Sequence, residues 1–319
     1  MIHPTQWRES LRQYRFPALS GAVQDRAAEA ASKRVLGNPL RLSNSGSCAR
    51  KLAYQKINFE ARSQGLPEPF KAEALNARAL MVFHLGDMVE ESLKAWIRDA
   101  GSLFLPLKPP DDEVAITVAG TRIVGHPDGL YQEQDESLSL VSIKSTNERG
   151  FERVDLQGPP YEAVCQETAY MAGLGIYKAR FLYYNKNTSH LADDWVVEFS
   201  PEIYTEVTNR WARVIGATID FLPEPEHQAE TETEWVRGLK GYKAGTASAW
   251  SGDPQEPPVI RDTEGKRVTE VKSNGYYRET GRKILPWQCS YCPFKKPCYG
   301  EKLQQVDLAD DKPVWVVAA

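Results

Sequence analysis

The sequence lacks the features that define several protein classes. No stretch approaches 18 consecutive apolar residues, so no membrane-spanning helix is expected. There is no internal repeat and no low-complexity tract, and five cysteines in 319 residues are too few for a small disulfide-dense protein. Residues 1–15 are polar and show no secretory signal, which predicts a reducing cytoplasm as the compartment.

An excess of positive charge is also absent. The 39 Lys and Arg residues are outnumbered by 43 Asp and Glu residues, and the formal net charge is −4. This balance argues against a protein that coats DNA through bulk basicity, although a local groove could still bind nucleic acid. Acidic residues can hold cations, and a bound metal ion reverses the local charge. The length and the 41% hydrophobic content are typical of one large globular domain or two smaller ones.

The few cysteines are informative through their spacing. Cys289, Cys292 and Cys298 form a tight cluster, and Cys48 lies 241 residues before the first of them (289 − 48 = 241). In a reducing compartment such spacing favours metal binding over disulfides. Cys165 stands alone in an apolar segment and is expected to fill the core.

Hydrophobic periodicity predicts a mixed α/β core. Helices are predicted within the first 40 residues, including 21–36, and over 47–58, 70–100, 160–173 and 201–221. Strands are predicted over 179–185 and 195–199, and as a meander over 114–118, 121–125, 130–134 and 138–144. From residue 223 the chain is punctuated by Gly and Pro. The basic residues in this part include Lys240, Lys243, Lys266, Arg267, Lys272, Arg278, Arg282 and Lys283.

A carboxylate and a lysine are predicted to meet where two neighbouring strands end. Side chains alternate along a strand, so Leu140, Ser142 and Lys144 project from one face, and Asp128 lies at the end of a neighbouring strand. Carboxylates are oxygen ligands for Mg²⁺ or Mn²⁺, and a nearby lysine can orient water or stabilise charge on a phosphate. The alternative is a turn aspartate beside a solvated lysine.

Two predicted helices add polar candidates. The helix over 70–100 carries His84, Asp87, Glu90 and Glu91. One of these carboxylates could lie against the sheet, and the alternative is a solvated acidic face. On the helix over 160–173, Gln166 and Tyr170 are four residues apart and share a face, where they could contact phosphate or sugar oxygens. Such a pair also occurs by chance.

Taken in order, these motifs resemble the RecB-like branch of the PD-(D/E)XK nucleases. The resemblance is to its iron–sulfur subgroup, which includes CRISPR-adaptation nucleases, AddB-type nuclease domains and phage exonucleases. The matching positions are Gly86 and Glu90 in the Gly-x-x-x-His/Glu motif, Gly125 and Asp128 in the Gly-x-x-Asp motif, Lys144 in the lysine motif, and Gln166 and Tyr170 in the Gln-x-x-x-Tyr motif. The resemblance spans residues 43–298.

The resemblance implies a nuclease core, a mixed central sheet flanked by helices, over residues 70–222. An N-terminal helical region, 1–69, and a C-terminal region, 223–319, would flank this core. The implied activity is metal-dependent DNA exonuclease action, with Mg²⁺ or Mn²⁺ held by Glu90, Asp128 and the Ile143 carbonyl. The rest of the implied catalytic set is Ser142, Lys144, Gln166 and Tyr170.

The implied substrate is single-stranded DNA or duplex ends, in recombination, repair or processing in a bacterial or phage-infected cytoplasm. The basic C-terminal stretch would track phosphates. The sequence has no Gly-x4-Gly-Lys-Ser/Thr motif, so a helicase or recombination partner would have to supply any unwinding.

The four spaced cysteines take a sharper meaning from the resemblance. It implies that Cys48, Cys289, Cys292 and Cys298 hold a 4Fe–4S cluster, although four thiolates suit Zn²⁺ equally well by count. Either group would join the N- and C-terminal parts of the chain, in a structural rather than a redox role.

One position departs from the family pattern. The acid expected two residues before the lysine is Ser142, which is uncharged and a poor ligand for a divalent metal. Three interpretations follow: an inactivating substitution, a naturally weakened nuclease that kept DNA binding, or a nearby acid such as Glu133 in the ligand role. A non-catalytic DNA-binding adaptor on the nuclease fold is therefore the alternative function, and a zinc-stabilised protein of unrelated function is a third.

Overall fold

The chain divides into two compact units, Met1–Glu224 and Pro225–Ala319. The computed structural model describes residues 26, 37–73, 77–99, 104–105, 113–240, 260–307 and 313–317. Segments 1–69 and 70–222, which the sequence suggests are separate domains, both lie in the first unit. The predicted helix over 21–36 lies outside the described residues apart from Arg26, and Lys243 is also outside them.

The first unit is built around a five-stranded mixed sheet. The strands described in this unit are β1 (Phe104–Leu105), β2 (Val114–Val118), β3 (Thr121–Gly125), β4 (Gly129–Gln132), β5 (Leu138–Thr146), β6 (Lys178–Asn185) and β7 (Leu191–Glu198). The order in the sheet is β1–β4–β5–β6–β7, and β2 pairs with β3 in a separate hairpin. Strands β5 and β6 are parallel, whereas the other neighbours are antiparallel.

Helices cover both faces of this sheet. They are α1 (Ala49–Ser63), α2 (Ala77–Asp99), α3 (Glu148–Gln157), α4 (Tyr161–Leu174) and α5 (Pro201–Ile215). Both α3 and α4 lie in the crossover from β5 to β6, the kind of connection that a parallel strand pair requires. Within the described part of the chain, no helix combines the length and the apolar character needed to cross a membrane.

The core lies on both sides of β5. On one face Leu140 belongs to a buried cluster with Cys165 of α4 and Trp211 of α5. On the other face Ile143 packs with Leu93 of α2. The predicted mixed sheet flanked by helices is confirmed, and Cys165 fills the core as expected.

Local signals set the ends of several helices. The side chain of Asn147 accepts a 2.8 Å hydrogen bond from the N–H of Gly150 and caps α3. Ser200 caps α5 in the same way through the N–H of Ile203, just before Pro201. Gly175 ends α4 with a φ of 68°, a left-handed conformation that favours glycine.

The predicted four-strand meander is wrong in one connection. Strand β3 pairs with β2 but not with β4, because β4 has β5 on one edge and β1 on the other. A strand has only two edges, so no place remains for β3. Helix α3 was also not predicted.

The second unit is an antiparallel sheet with two short helices, where the sequence predicted no regular elements. Its described elements are β8 (Glu230–Arg237), β9 (Val268–Lys272), β10 (Gly275–Ile284), α6 (Trp287–Ser290), α7 (Lys295–Tyr299), β11 (Leu303–Asp307) and β12 (Pro313–Val317). The strand order is β11–β12–β10–β8, and β9 also pairs with β10.

Candidate functional site

The loop before β4 places Asp128 against the middle of β5. The ladder between β4 and β5 begins at the pair Gly129 and Val141, just after Pro127, which has no N–H to donate. Strand β5 therefore runs on beyond β4, and the N–H of Ile143 donates a 2.6 Å hydrogen bond to Oδ2 of Asp128. The Asp128 carboxylate is therefore held by a main-chain N–H of β5, just beyond the point where β4 and β5 stop pairing.

Helix α2 brings a second carboxylate to the same place. Leu93 packs on Val141 and Ile143, and this holds the helix against β5. Lys94 Nζ lies 2.6 Å from Oε1 of Glu90 and 3.9 Å from Oδ1 of Asp128. The sequence-predicted pair Glu90 and Asp128 is thus brought together around one lysine.

The other polar candidates of α2 are exposed. His84 and Asp87 are both exposed, and Asp87 lines the same cleft as Glu90. Glu91 is 76% exposed, although its Oε1 is still 3.8 Å from Lys94 Nζ. His84 and Glu91 are thus exposed on the helix surface, whereas Asp87 adds a third carboxylate at the edge of the cleft.

Helix α4 supplies a buried carboxylate that sequence reasoning missed. Glu167 is 2% exposed, and its Oε1 accepts a 2.7 Å hydrogen bond from the hydroxyl of Ser142. Lys144 Nζ is 3.8 Å from the same oxygen. The available signal was an acid within the apolar segment around Cys165, on the helix that already carried Gln166 and Tyr170.

The site concentrates negative charge in a buried place. Burial raises the pKa of Asp128, and Glu90 raises it further, whereas Lys144, the N–H of Ile143 and Lys94 act in the opposite direction. Burial also raises the pKa of Glu167 to about 7, with a contribution from Asp128, against the effects of Lys144 and Ser142. An added cation would relieve this repulsion.

Lys94 supplies a positive charge between these carboxylates. Burial alone lowers its pKa, but the hydrogen bond to Glu90 and the charges of Asp128, Glu90 and Glu91 outweigh burial and raise the pKa above its ordinary value. The ammonium group therefore stays charged between the two carboxylates.

Tyr170 supports the site from beneath. It is 1% exposed, and its hydroxyl donates a 3.3 Å hydrogen bond to the carbonyl of His126, in the loop that carries Asp128. A Cβ on Gly125 would lie 2.6 Å from that hydroxyl, so glycine is required for this close approach. Gln166 is half-buried on the same helix, and its predicted contact with a DNA strand stays a prediction.

Glu133, the acid suggested as a substitute ligand, is engaged elsewhere. It forms two 2.7 Å hydrogen bonds with the guanidinium of Arg180 and accepts a short one from Ser139. Ser139 and Ser142 are three residues apart on β5, so their side chains lie on opposite faces. Glu133 therefore does not stand in for an acid at residue 142.

A cleft of about 350 Å³ opens beside these groups. Its lining includes Glu90, Ile143 and Lys144 from the site, together with Phe83, Gly86 and Lys186. Phe83 is 46% exposed. The cleft thus joins acidic, basic and aromatic surface.

The chemistry of the donors suits a hard divalent metal. Two carboxylates and a main-chain carbonyl are oxygen ligands of the kind that Mg²⁺ and Mn²⁺ prefer. Among the described residues, no three His, Cys, Asp or Glu side chains are grouped to hold one ion. The set offered here is therefore the carboxylates of Glu90 and Asp128 with the carbonyl of Ile143.

The spaced cysteines are divided between the two units. Cys48 precedes α1 in the first unit, whereas Cys289, Cys292 and Cys298 lie on and between α6 and α7 in the second. All four are half-buried, and the hydroxyl of Tyr299 lies 3.5 Å from Sγ of Cys289. The cluster stays a prediction.

The basic residues of the second unit are largely balanced by carboxylates. Arg278 Nη1 is 2.6 Å from Asp262, and Arg282 Nη2 is 2.6 Å from Glu232. Lys266, Arg267 and Lys272 also form ion pairs, with Glu234, Glu279 and Glu270 respectively. These five pairings are made within the second unit, and they offset part of the positive charge on which the predicted phosphate tracking depends.

Comparisons with known proteins give distant similarities. No family model matches the chain, and no curated protein matches it. The chain is similar to the structure of an alkaline exonuclease (LHK-Exo) from Laribacter hongkongensis, with 20% identity and a TM-score of 0.34 over 52% of this chain and 86% of that one. The structure of LHK-Exo in complex with dAMP has 22% sequence identity and a TM-score of 0.36, over the same shares of the two chains. The structure of SSO0001 has 15% sequence identity and a TM-score of 0.40, over 65% of this chain and 89% of that one. Because all three TM-scores are below 0.5, the function proposed below rests on the geometry of the site.

Proposed function

We propose that the protein is a metal-dependent deoxyribonuclease of the PD-(D/E)XK type that hydrolyses phosphodiester bonds at DNA ends. The observation that carries the proposal is the meeting of Glu90, Asp128 and Lys144 around β5. Two partly buried acids beside a lysine combine metal-binding groups with a cation for a phosphate.

The site residues have two roles, which are to bind the metal ion and to stabilise charge on the phosphate. A bound Mg²⁺ or Mn²⁺ would supply Lewis acidity and activate water for in-line attack on the phosphorus. Glu90, Asp128 and the Ile143 carbonyl would hold the ion. Lys144, whose side chain is 28% exposed, would stabilise the negative charge that develops on the phosphate oxygens.

The cleft supports a nucleic-acid substrate. The exposed ring of Phe83 offers a surface on which a base can stack, and Lys186 and Lys144 offer cations for phosphates in the same cleft. Gln166 would help to position the strand. On this proposal, a helicase or recombination partner in a bacterial or phage-infected cytoplasm would unwind duplex DNA.

A cleavage assay tests the proposal. The substrates are end-labelled single- and double-stranded DNA with Mn²⁺ or Mg²⁺, and the protein is purified anaerobically. Lys144→Ala should lower the cleavage rate by about 100-fold or more while DNA binding, followed by fluorescence anisotropy, persists. Lys178→Ala is the control, because Lys178 begins β6, whereas Lys144 is paired with Tyr183 near the other end of that strand. Cleavage by Lys144→Ala at the wild-type rate would overturn the site assignment.

We also propose that Cys48, Cys289, Cys292 and Cys298 bind a 4Fe–4S cluster, with Zn²⁺ as the alternative occupant. The supports are their spacing in the sequence and the placing of three of them on and between two short neighbouring helices, α6 and α7. The cluster would stabilise the fold rather than take part in the reaction.

A second candidate function is a DNA-end-binding adaptor on the same fold. The observation that favours it is Ser142, which puts no charge where the family places an acid. The adaptor predicts DNA binding without metal-dependent cleavage. It also predicts no gain from an acid at residue 142.

A further inference from the structure

The carboxylate of Glu167 has a place in the site that no sequence motif assigns to it. Its side chain is 2% exposed, on helix α4, where most neighbouring side chains are apolar. A buried acid is costly unless it is paired or hydrogen-bonded. Both partners of Glu167, Ser142 and Lys144, belong to the candidate site.

The position of this acid matches the position of the missing one. Ser142 and Lys144 are two residues apart on β5 and project from the same face, toward α4. The serine hydroxyl points at Oε1 of Glu167 over 2.7 Å. The space in front of the short Ser142 side chain is therefore occupied by the carboxylate of Glu167, which comes from helix α4.

Among the described acids, Glu167 is the one that is hydrogen-bonded to Ser142 and paired with Lys144. Glu133 is bound to Arg180 and lies by Ser139, on the other face of β5. Glu90 pairs with Lys94. The charge of Asp128 also acts on Lys144, but its carboxylate is held by the N–H of Ile143 rather than by Ser142. Glu167 is the acid that contacts both Ser142 and Lys144.

We infer that Glu167 supplies from α4 the carboxylate that residue 142 lacks on β5, and that this carboxylate positions the Lys144 ammonium in the cleft. The inference rests on the proposed nuclease function for its activity test. Glu167 acts through Lys144 and is a positioning residue, whereas Lys144 is the group that meets the phosphate. The chain is thus a nuclease with a relocated acid rather than a disabled one.

The test moves the carboxylate back to the strand. Glu167→Gln keeps the size of the side chain and removes its charge, and the double variant Ser142→Asp/Glu167→Gln restores one charge on β5. Glu133→Gln is a matched control, because Glu133 also accepts from a serine and pairs with a cation. We expect Glu167→Gln to lower kcat by about 100-fold with unchanged DNA affinity, and the double variant to recover at least a tenth of the wild-type rate.

A second readout does not depend on cleavage. The rate at which an amine-acylating reagent modifies Lys144, measured by peptide mass spectrometry against Lys178, should rise several-fold in Glu167→Gln. It should return toward the wild-type rate in the double variant. Thermal unfolding confirms that each variant is folded at the assay temperature.

The outcomes separate the two claims. Unchanged Lys144 labelling and wild-type cleavage by Glu167→Gln would overturn the inference, as would a folded double variant that recovers neither property. If wild-type protein does not cleave DNA but Lys144 labelling responds as expected, the positioning role stands and the nuclease function fails. If Ser142→Asp alone is faster than wild type, the site simply lacks an acid and the inference is wrong.

Discussion

The N–H of Ile143 donates a 2.6 Å hydrogen bond to Oδ2 of Asp128. This contact ties the candidate metal-binding carboxylate to the strand that carries Ser142 and Lys144. The site is therefore built around the stretch of β5 that extends past the end of β4, where main-chain groups are free to bind something other than a strand.

The loop that carries Asp128 depends on the glycine at its start. A methyl group at residue 125 would lie 2.6 Å from the Tyr170 hydroxyl and 2.8 Å from Cβ of Leu42. We expect Gly125→Ala to lower the free energy of unfolding by about 1–3 kcal/mol through overpacking, measured by chemical denaturation. Gly216→Ala, at a position with an ordinary φ of −74°, should cost less. Equal costs would contradict the close packing at Gly125.

Lys94 balances the two carboxylates in the protein without metal. Its side chain is 18% exposed and its Nζ lies 2.6 Å from Glu90. We expect Lys94→Met to bind Mn²⁺ about tenfold more tightly by calorimetry, a change of about 1.4 kcal/mol, because the site loses an internal cation. Lys56→Met is the control, since Lys56 forms a similar pair with Glu60 on α1 and is 13% exposed. Equal or weaker Mn²⁺ binding by Lys94→Met would show that Lys94 does not compete with the ion.

The raised pKa of Glu167 predicts how stability changes with pH. The pKa is about 7 in the folded protein, against an ordinary value of 4.5. The folded state therefore holds a proton that the unfolded chain releases, and the stabilisation is complete below pH 4.5 and is lost as pH rises through about 7. With chelator present, the stability of wild type relative to Glu167→Gln should fall between pH 5 and pH 8, by up to about 3 kcal/mol. A difference that stays constant or grows with pH would contradict the buried position of this acid.

The cysteine prediction separates the two candidate occupants. Anaerobically purified wild type should be brown, with absorbance near about 400 nm and iron and sulfide in equal amounts, as expected for a 4Fe–4S cluster. Cys292→Ser should lose the colour and the iron, whereas Cys165→Ala, in the buried core, should keep both. Zinc as the main metal, without colour, would favour the alternative.

The sequence predicted most elements of the first unit because their signals are local. Apolar residues such as Leu93 recur at helical spacing in α2, and side chains alternate between the two faces of β5, so that Leu140 and Ser142 share a face. Both elements and their faces therefore follow from periodicity. The pairing of β4 with β1 could not be predicted in this way, because it depends on which strand edges are free in the finished sheet. Helix α3 buries only Val154, so few apolar positions mark it in the sequence.

The site was predictable where a motif fixes it and hidden where packing does. Glu90, Asp128 and Lys144 follow from spacing and from the family pattern, and the structure brings them together. Glu167 depends on the contact between α4 and β5, which joins residues 25 apart in the chain. The same packing buries both Glu167 and Tyr170. The sequence pattern, which placed polar residues on one face of the helix, did not indicate that this face is buried.

The most direct test is the release of nucleotides from labelled DNA by the wild-type chain, with Mn²⁺ or Mg²⁺ and with chelator, beside Asp128→Asn. We expect release that requires the metal, and a loss of about 100-fold or more in Asp128→Asn, with DNA binding retained. Release that continues in chelator, or no release from any substrate by protein that is folded, holds its metals and binds DNA, would contradict this expectation.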